Sequence, residues 1–215
     1  DYLSFQDFTP EQEAMMLQAI LLALIAGYVD TVGYLEFNAF AGLMTGNTIF
    51  MGIEAAGGQY GMAVFHGVII FAFLFGVIAA RVKARAGLKS WVALSITGGL
   101  LVLCSFVEKS LAAVLLALAM GIQNSAANRF NGVALNTVFI TGNIQKLGEE
   151  LVTWIWPSKA GPARQGATIF AFVWFAYAVG AGAGAVAVRI MDKPLLIPAI
   201  LLPFIMLRSR PVIAA

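Results

Sequence analysis

Leu22-Ala23-Leu24-Ile25-Ala26-Gly27 recurs in the second half of the chain as Leu116-Ala117-Leu118-Ala119-Met120-Gly121. A polar patch follows each copy, Asp30-Thr31 after the first and Asn124-Ser125 after the second. Phe37-Asn38 returns as Phe130-Asn131, and Thr45-Gly46-Asn47 as Thr141-Gly142-Asn143. Further on, Gly67 and Ile70-Phe71-Ala72-Phe73 match Gly166 and Ile169-Phe170-Ala171-Phe172. The offset drifts from about 94 residues (22 to 116) to about 99 (70 to 169), as small loop insertions would produce. An internal duplication decides architecture before any local signal does. In an apolar chain it points to the two halves of a transporter-like or channel-like fold.

The chain is apolar. Of its 215 residues 60% are hydrophobic and 11% charged, with a mean hydropathy of +0.88. Soluble domains carry about 25% charged residues. Several uncharged runs approach the roughly 20 residues needed to cross a bilayer core of about 30 Å. The alternating segments of about 10 residues that mark a membrane β-barrel are missing. The chain therefore reads as an all-α integral membrane protein. No Lys or Arg block suggests nucleic acid. The single cysteine, Cys104, lies in an apolar run and reads as a small buried hydrophobe, with no disulfide and no metal site. The acidic N-terminus lacks the basic region of a signal peptide. Thr9-Pro10-Glu11-Gln12 predicts a helix start, with Thr9 as cap and Pro10 in the first helical position.

Six apolar segments stand out at roughly 15–36, 61–80, 91–107, 111–128, 166–188 and 195–207, the last carrying Pro198 and Pro203. Two more, about 42–57 and 137–156, hold the Thr-Gly-Asn motifs and either cross the membrane or enter and return. Basic residues near span ends stay on the cytoplasmic side. Six crossings with the N-terminus inside put ten of the 13 Lys and Arg residues there: Arg81, Lys83, Arg85, Lys89, Arg129, Lys146, Lys159, Arg164, Arg208 and Arg210. Eight crossings would drag Lys146 into lipid and move four others outside. Six crossings are predicted, arranged as a 3+3 inverted-topology repeat with one re-entrant Thr-Gly-Asn half-helix in each half. The divisions are a cytoplasmic segment 1–14, a first repeat 15–107 (re-entrant about 38–57), a second repeat 108–207 (re-entrant about 132–156) and a cytoplasmic tail 208–215, all one membrane domain.

Helix rise of about 1.5 Å per residue places both Thr-Gly-Asn turns near mid-bilayer. Irregular backbone at that depth is tolerated where protein buries it or where it lines a polar cavity. Two half-helix N-termini meeting there would favour an anion or a polar acceptor. Thr45, Gly46, Asn47, Thr141, Gly142 and Asn143 are therefore the expected solute-binding residues, joined by Thr31, Gln123, Asn124 and Asn128 in a polar stripe with Ser125. Asp30, an ionisable group within the first span, is the expected coupling site. Glu36 and Arg129 are read as vestibule charges at opposite faces. His66 falls at the outer start of the second span, where a solvated imidazole is expected. Gly180 and Gly184 fit a helix-dimer face and so allow a homodimer. Phe172, Trp174, Phe175 and Tyr177 are candidates for a gate or for plain packing.

Ala26-Gly27-Tyr28-Val29-Asp30 with Met44-Thr45-Gly46-Asn47 resembles the YoaK-like family of small bacterial inner-membrane proteins. So does Met120-Gly121-Ile122-Gln123-Asn124 with Ile140-Thr141-Gly142-Asn143. The resemblance runs from about Leu17 to Leu207. It implies about six spans in a bacterial inner membrane and names no substrate.

The function expected is a secondary transporter of a small polar or anionic solute, proton-coupled through Asp30. A passive channel of the same architecture is the alternative, and a non-transporting scaffold or sensor the second. Enzyme chemistry is not expected. There is no His–carboxylate metal cluster, no cofactor motif, and Asp30 lacks a second carboxylate. No cofactor is expected, and the bilayer and the solute are the expected partners.

Overall fold

The connectivity follows the apolar segments closely in the computed structural model, which describes residues 9–87, 89–126, 129–130, 133–134, 140–156 and 164–208. Eight helices occur among the described residues: α1 (Pro10–Phe37), α2 (Met44–Ala56), α3 (Tyr60–Arg85), α4 (Ser90–Cys104), α5 (Lys109–Ala126), α6 (Ile140–Ile155), α7 (Arg164–Ile190) and α8 (Leu196–Arg208). Between α5 and α6, the two-residue strands β1 (Arg129–Phe130) and β2 (Val133–Ala134) pair antiparallel, a ladder the repeat gave no reason to expect. The described residues are thus all-helical apart from that ladder. Helix α1 starts at Pro10, as predicted, with the Glu13 amide donating to Thr9 O at 3.0 Å.

Among the described residues, three helices are long and apolar enough to cross a membrane, over Glu13–Phe37, Tyr60–Arg85 and Ile169–Ile190. Helices α4, α5 and α8 are shorter, at 15, 18 and 13 residues. Large apolar side chains stand exposed along α3 (Phe71, Phe75, Val82) and α7 (Trp174, Phe175, Val186, Ile190). Water would penalise that surface by about 25 cal/mol per Å², whereas lipid tails cover it at no such cost. The protein is accordingly a multi-pass membrane protein.

The interior is built on two close helix crossings. On α7, a Cβ at Gly180 would strike Leu24 O, and one at Gly184 would lie 2.6 Å from Tyr28 O; on α1, a Cβ at Gly27 would strike Tyr177 O. On α3, a Cβ at Gly76 would strike Leu118 O, and on α5, one at Gly121 would strike Phe73 O. Side chains have no room at either crossing, so backbones touch and gain dispersion contacts directly. The crossings are equivalent: Leu24 corresponds to Leu118, Gly27 to Gly121, Gly180 to Gly76 and Tyr177 to Phe73. The packing therefore matches Phe73 with Tyr177, five residues beyond the Phe172 of the sequence match. The apolar run Ile-Phe-Ala-Phe is interchangeable along a helix, but the small residues facing a carbonyl are not. Gly180 and Gly184 are occupied inside the chain, which removes them as the basis for a dimer face.

Helix directions follow from the same contacts. Leu24 and Tyr28 meet Gly180 and Gly184 in rising order, so α1 and α7 run the same way. Gln123 Nε2 donates to Leu22 O at 3.2 Å while Leu116 lies against Gly33, so α1 and α5 run opposite ways. Thr97 reaches Ala119 O and Cys104 reaches Ala112 O, making α4 and α5 a hairpin. Cys104 is buried, as expected. The main core gathers Leu22, Ile25 and Val29 of α1, Leu116 and Met120 of α5, Ile69 and Phe73 of α3, and Leu202 of α8.

Candidate functional site

Helix α1 ends by a local device. Asn38 adopts a left-handed conformation (φ 56°), its amide donates to Tyr34 O at 3.0 Å, and the Ala39 amide reaches back to Gly33 O at 3.4 Å. This is an αL-type stop, for which Asn is among the few tolerated side chains. It reverses the chain at Phe37-Asn38 and sends residues 39–43 back along α1.

The returning segment is pinned twice. Asp30, 2% exposed, accepts from the Gly42 amide at 2.5 Å and the Leu43 amide at 3.3 Å through Oδ1. Its Oδ2 accepts from the Tyr177 hydroxyl at 2.6 Å. Asn47, fully buried, accepts from the Phe40 amide at 2.9 Å and donates to Phe40 O at 2.8 Å. These are charge-assisted and paired amide contacts, the stronger classes of hydrogen bond in a low-dielectric interior.

The geometry reassigns the roles within Thr45-Gly46-Asn47. Residue Leu43 precedes α2 and supplies no side-chain cap. The expected Thr and Asn caps are replaced by Asp30, whose carboxylate meets the free amides at the start of α2 from a neighbouring helix. Thr45 is exposed, and Gly46 is packed so closely on the Phe40 ring that a Cβ would lie 2.7 Å from it. The second motif is placed alike: Thr141 and Gly142 exposed, Asn143 1% exposed. In both halves the Asn turns in and the Thr turns out.

The polar stripe at the end of α5 is largely buried and incompletely bonded. Gln123 Oε1, Asn124 Oδ1 and Ser125 Oγ are buried without a hydrogen-bond partner among the described residues. Thr31 is half-buried on α1. Asn128 lies outside the described residues, and of Arg129 only the backbone, paired with Ala134 in the ladder, is described. Glu36, expected as a vestibule charge, forms an ion pair of 3.4 Å with Lys109.

Two groups escaped sequence reasoning. Tyr177, read only as an aromatic, is the hydroxyl that completes Asp30; Phe172, Trp174 and Phe175 face outward instead. His66 is not solvated. It is 1% exposed, with Nε2 3.5 Å from Glu54 Oε1 of α2 and its ring against Phe50 and Phe65. The reason is that α2 folds down onto the start of α3 through the short 57–59 turn, covering a face that an isolated second span would expose. Helical spacing of Phe50 and Glu54 on one α2 face was the available signal. Among the described residues, no group of three or more His, Cys, Asp or Glu could hold a metal.

A family model described as "Protein of unknown function (DUF1275)" matches residues 18–208. The UPF0700 transmembrane protein YoaK of Bacillus subtilis (strain 168) is 30% identical over 146 residues, covering 61% of this chain. The match spans 64% of that relative's length. No solved structure matches. The chain belongs to the DUF1275, YoaK-like membrane family.

Proposed function

We propose that this member of the DUF1275 family is a secondary transporter of a small polar or anionic solute in the bacterial inner membrane. In this reading two inverted halves of three crossings each carry one re-entrant half-helix, α2 and α6, and both termini are cytoplasmic. The observation that carries it is the depth of the α2 N-terminus. Gly42 and Leu43 bond to Asp30, which sits seven residues before the end of α1, or about 10 Å back along its axis. Helix α2 then turns through residues 57–59 into α3, so α2 begins inside the bundle and leaves toward the side it came from. The opposed directions of α1 and α5 support an odd number of crossings per half. Four full crossings would have made them parallel.

The two halves divide the work. The first meets the positive end of α2 with its own carboxylate. In the second, Asn124 stands at the corresponding place, and the sequence from Ser125 to Gly148 contains no acidic residue. An external anion or polar acceptor then fills that place at the N-terminus of α6, beside Thr141, Gly142 and Asn143. Asp30, with both oxygens engaged, serves as a fixed counter-charge. Rocking of one half against the other, about the two glycine crossings, exposes the site to each face in turn.

The test is flux into proteoliposomes of four probes, acetate, phosphate, nitrate and glycerol. Saturable, protein-dependent uptake of at least one anion is expected. Asn124→Asp places a fixed carboxylate in the second site and lowers that uptake by about tenfold or more, since like charges at close range cost several kcal/mol. Uptake equal to empty vesicles for all four probes rejects the transporter, and flux without saturation converts it to a channel.

A further inference from the structure

We infer that the His66–Glu54 pair is a proton-binding site, with the imidazole Nδ1 as the acceptor and the Glu54 carboxylate as its counter-charge. His66 is buried and Glu54 is half-buried, and each has a valence unused. His66 Nε2 faces Glu54 Oε1 at 3.5 Å, while His66 Nδ1 and Glu54 Oε2 are buried atoms without a hydrogen-bond partner among the described residues. A buried acceptor without a donor is costly, and a neutral imidazole with its Nε2 proton toward Glu54 leaves one at Nδ1. A proton from water forms the Nδ1–H bond, takes the pair from one net negative charge to none, and departs by the reverse step.

The surroundings suit a cation that comes and goes. The Phe50 ring stacks on the imidazole at 5.3 Å and Phe65 lies at 5.5 Å, within the range where an aromatic face attracts an imidazolium. Glu54 is the charged group that α2 turns toward His66. Helix α5 has one ionisable side chain, Lys109, and that is engaged by Glu36. From α1, Tyr34 joins an aromatic cluster behind Phe50. Phe50 meets Phe40 at 5.9 Å and Tyr34 at 6.0 Å, and those two rings lie 5.0 Å apart. Asn47 grips the backbone of Phe40, which places the aromatic rings between His66 and the Thr-Gly-Asn turn.

Proton binding stands without the transport reading; only the use made of the proton rests on it. His66 is the single histidine, so ring-labelled histidine in lipid nanodiscs gives one imidazole NMR signal. Between about pH 4.5 and 9 it is expected to pass from imidazolium to neutral imidazole. Glu54→Gln shifts the midpoint by about one pH unit, Glu54→Asp restores it, and Asp30→Asn leaves it in place. An imidazole that stays neutral throughout in folded protein, or a midpoint indifferent to Glu54→Gln, overturns the proposal. In proteoliposomes, His66→Gln is expected to keep solute flux but lose its response to an imposed proton gradient. If wild-type vesicles show no flux while the signal still titrates, the transport reading fails and the proton site remains.

Discussion

Asp30 and Asn124 occupy corresponding turns of α1 and α5, and their surroundings differ by more than one atom. Asp30 faces Tyr177, whose hydroxyl completes it; Asn124 is matched with Phe73, which has no hydroxyl, and its Oδ1 has no hydrogen-bond partner among the described residues. The duplication thus carries a correlated change: carboxylate with phenol in one half, amide with phenyl in the other. Around this difference the glycine crossings are equivalent. The comparison separates what the repeat keeps, a backbone contact that only glycine permits, from what it alters, the polar group beside it.

The largest effect is expected from breaking what the halves share. Gly180→Leu and Gly121→Leu each force a side chain into a facing carbonyl, costing about 3 kcal/mol or more. Gly52→Leu, at a position with nothing within 4 Å, is the control. Unfolding in mixed micelles should show the first two collapsing alike and the third near wild type. Unequal losses in the pair would mean that the crossings are not equivalent.

Next comes the polar difference itself. Tyr177→Phe leaves a buried carboxylate oxygen without its donor and should cost about 1–3 kcal/mol. Combined with Asp30→Asn it turns the first half into a likeness of the second. The double variant should then lose less than the two singles together, with a coupling of about 0.5–3 kcal/mol in a double-mutant cycle. Additivity would separate Tyr177 from Asp30. Asn47→Ala strips two hydrogen bonds from the Phe40 backbone and should cost a similar 1–3 kcal/mol, read by faster amide exchange at Phe40.

The smallest effect concerns a second carboxylate at a helix start. Glu108 accepts from the Ser110 and Leu111 amides at the N-terminus of α5. The Ser110 amide first, then Leu111, hold its carboxyl below the ordinary carboxylate range. Its contribution is therefore complete above the unfolded-state value and is lost as pH falls through the lower folded-state value. Wild type and Glu108→Gln should differ in unfolding midpoint near neutral pH and converge in acid. The exposed cap of α5 and the buried cap of α2 would differ in this respect if salt weakens only the former.

Much of the helix pattern was legible because it rests on local quantities. Apolar run length placed α1, α3 and α7; Thr9-Pro10 marked the start of α1; repeated Thr-Gly-Asn marked the starts of α2 and α6. The site was only half legible. Asp30 and Asn47 declared themselves as polar residues in apolar surroundings, but their partners are Phe40, Gly42 and Tyr177, and the last lies on a helix far along the chain. His66 was misplaced because a span considered alone ends in water, and only the descent of α2 removes that water.

By itself, then, the sequence determined that the chain is a duplicated, helical membrane protein with an uneven polar pair at Asp30 and Asn124. Periodicity and burial of apolar surface act over a few turns and can be read in order. Tertiary structure alone decided the register of the third element, Phe73 with Tyr177, and the closure of Asp30. It also decided the burial of His66 against Glu54. Those outcomes depend on which backbones approach closely enough to touch, a matter of glycine against carbonyl across helices that no local pattern encodes.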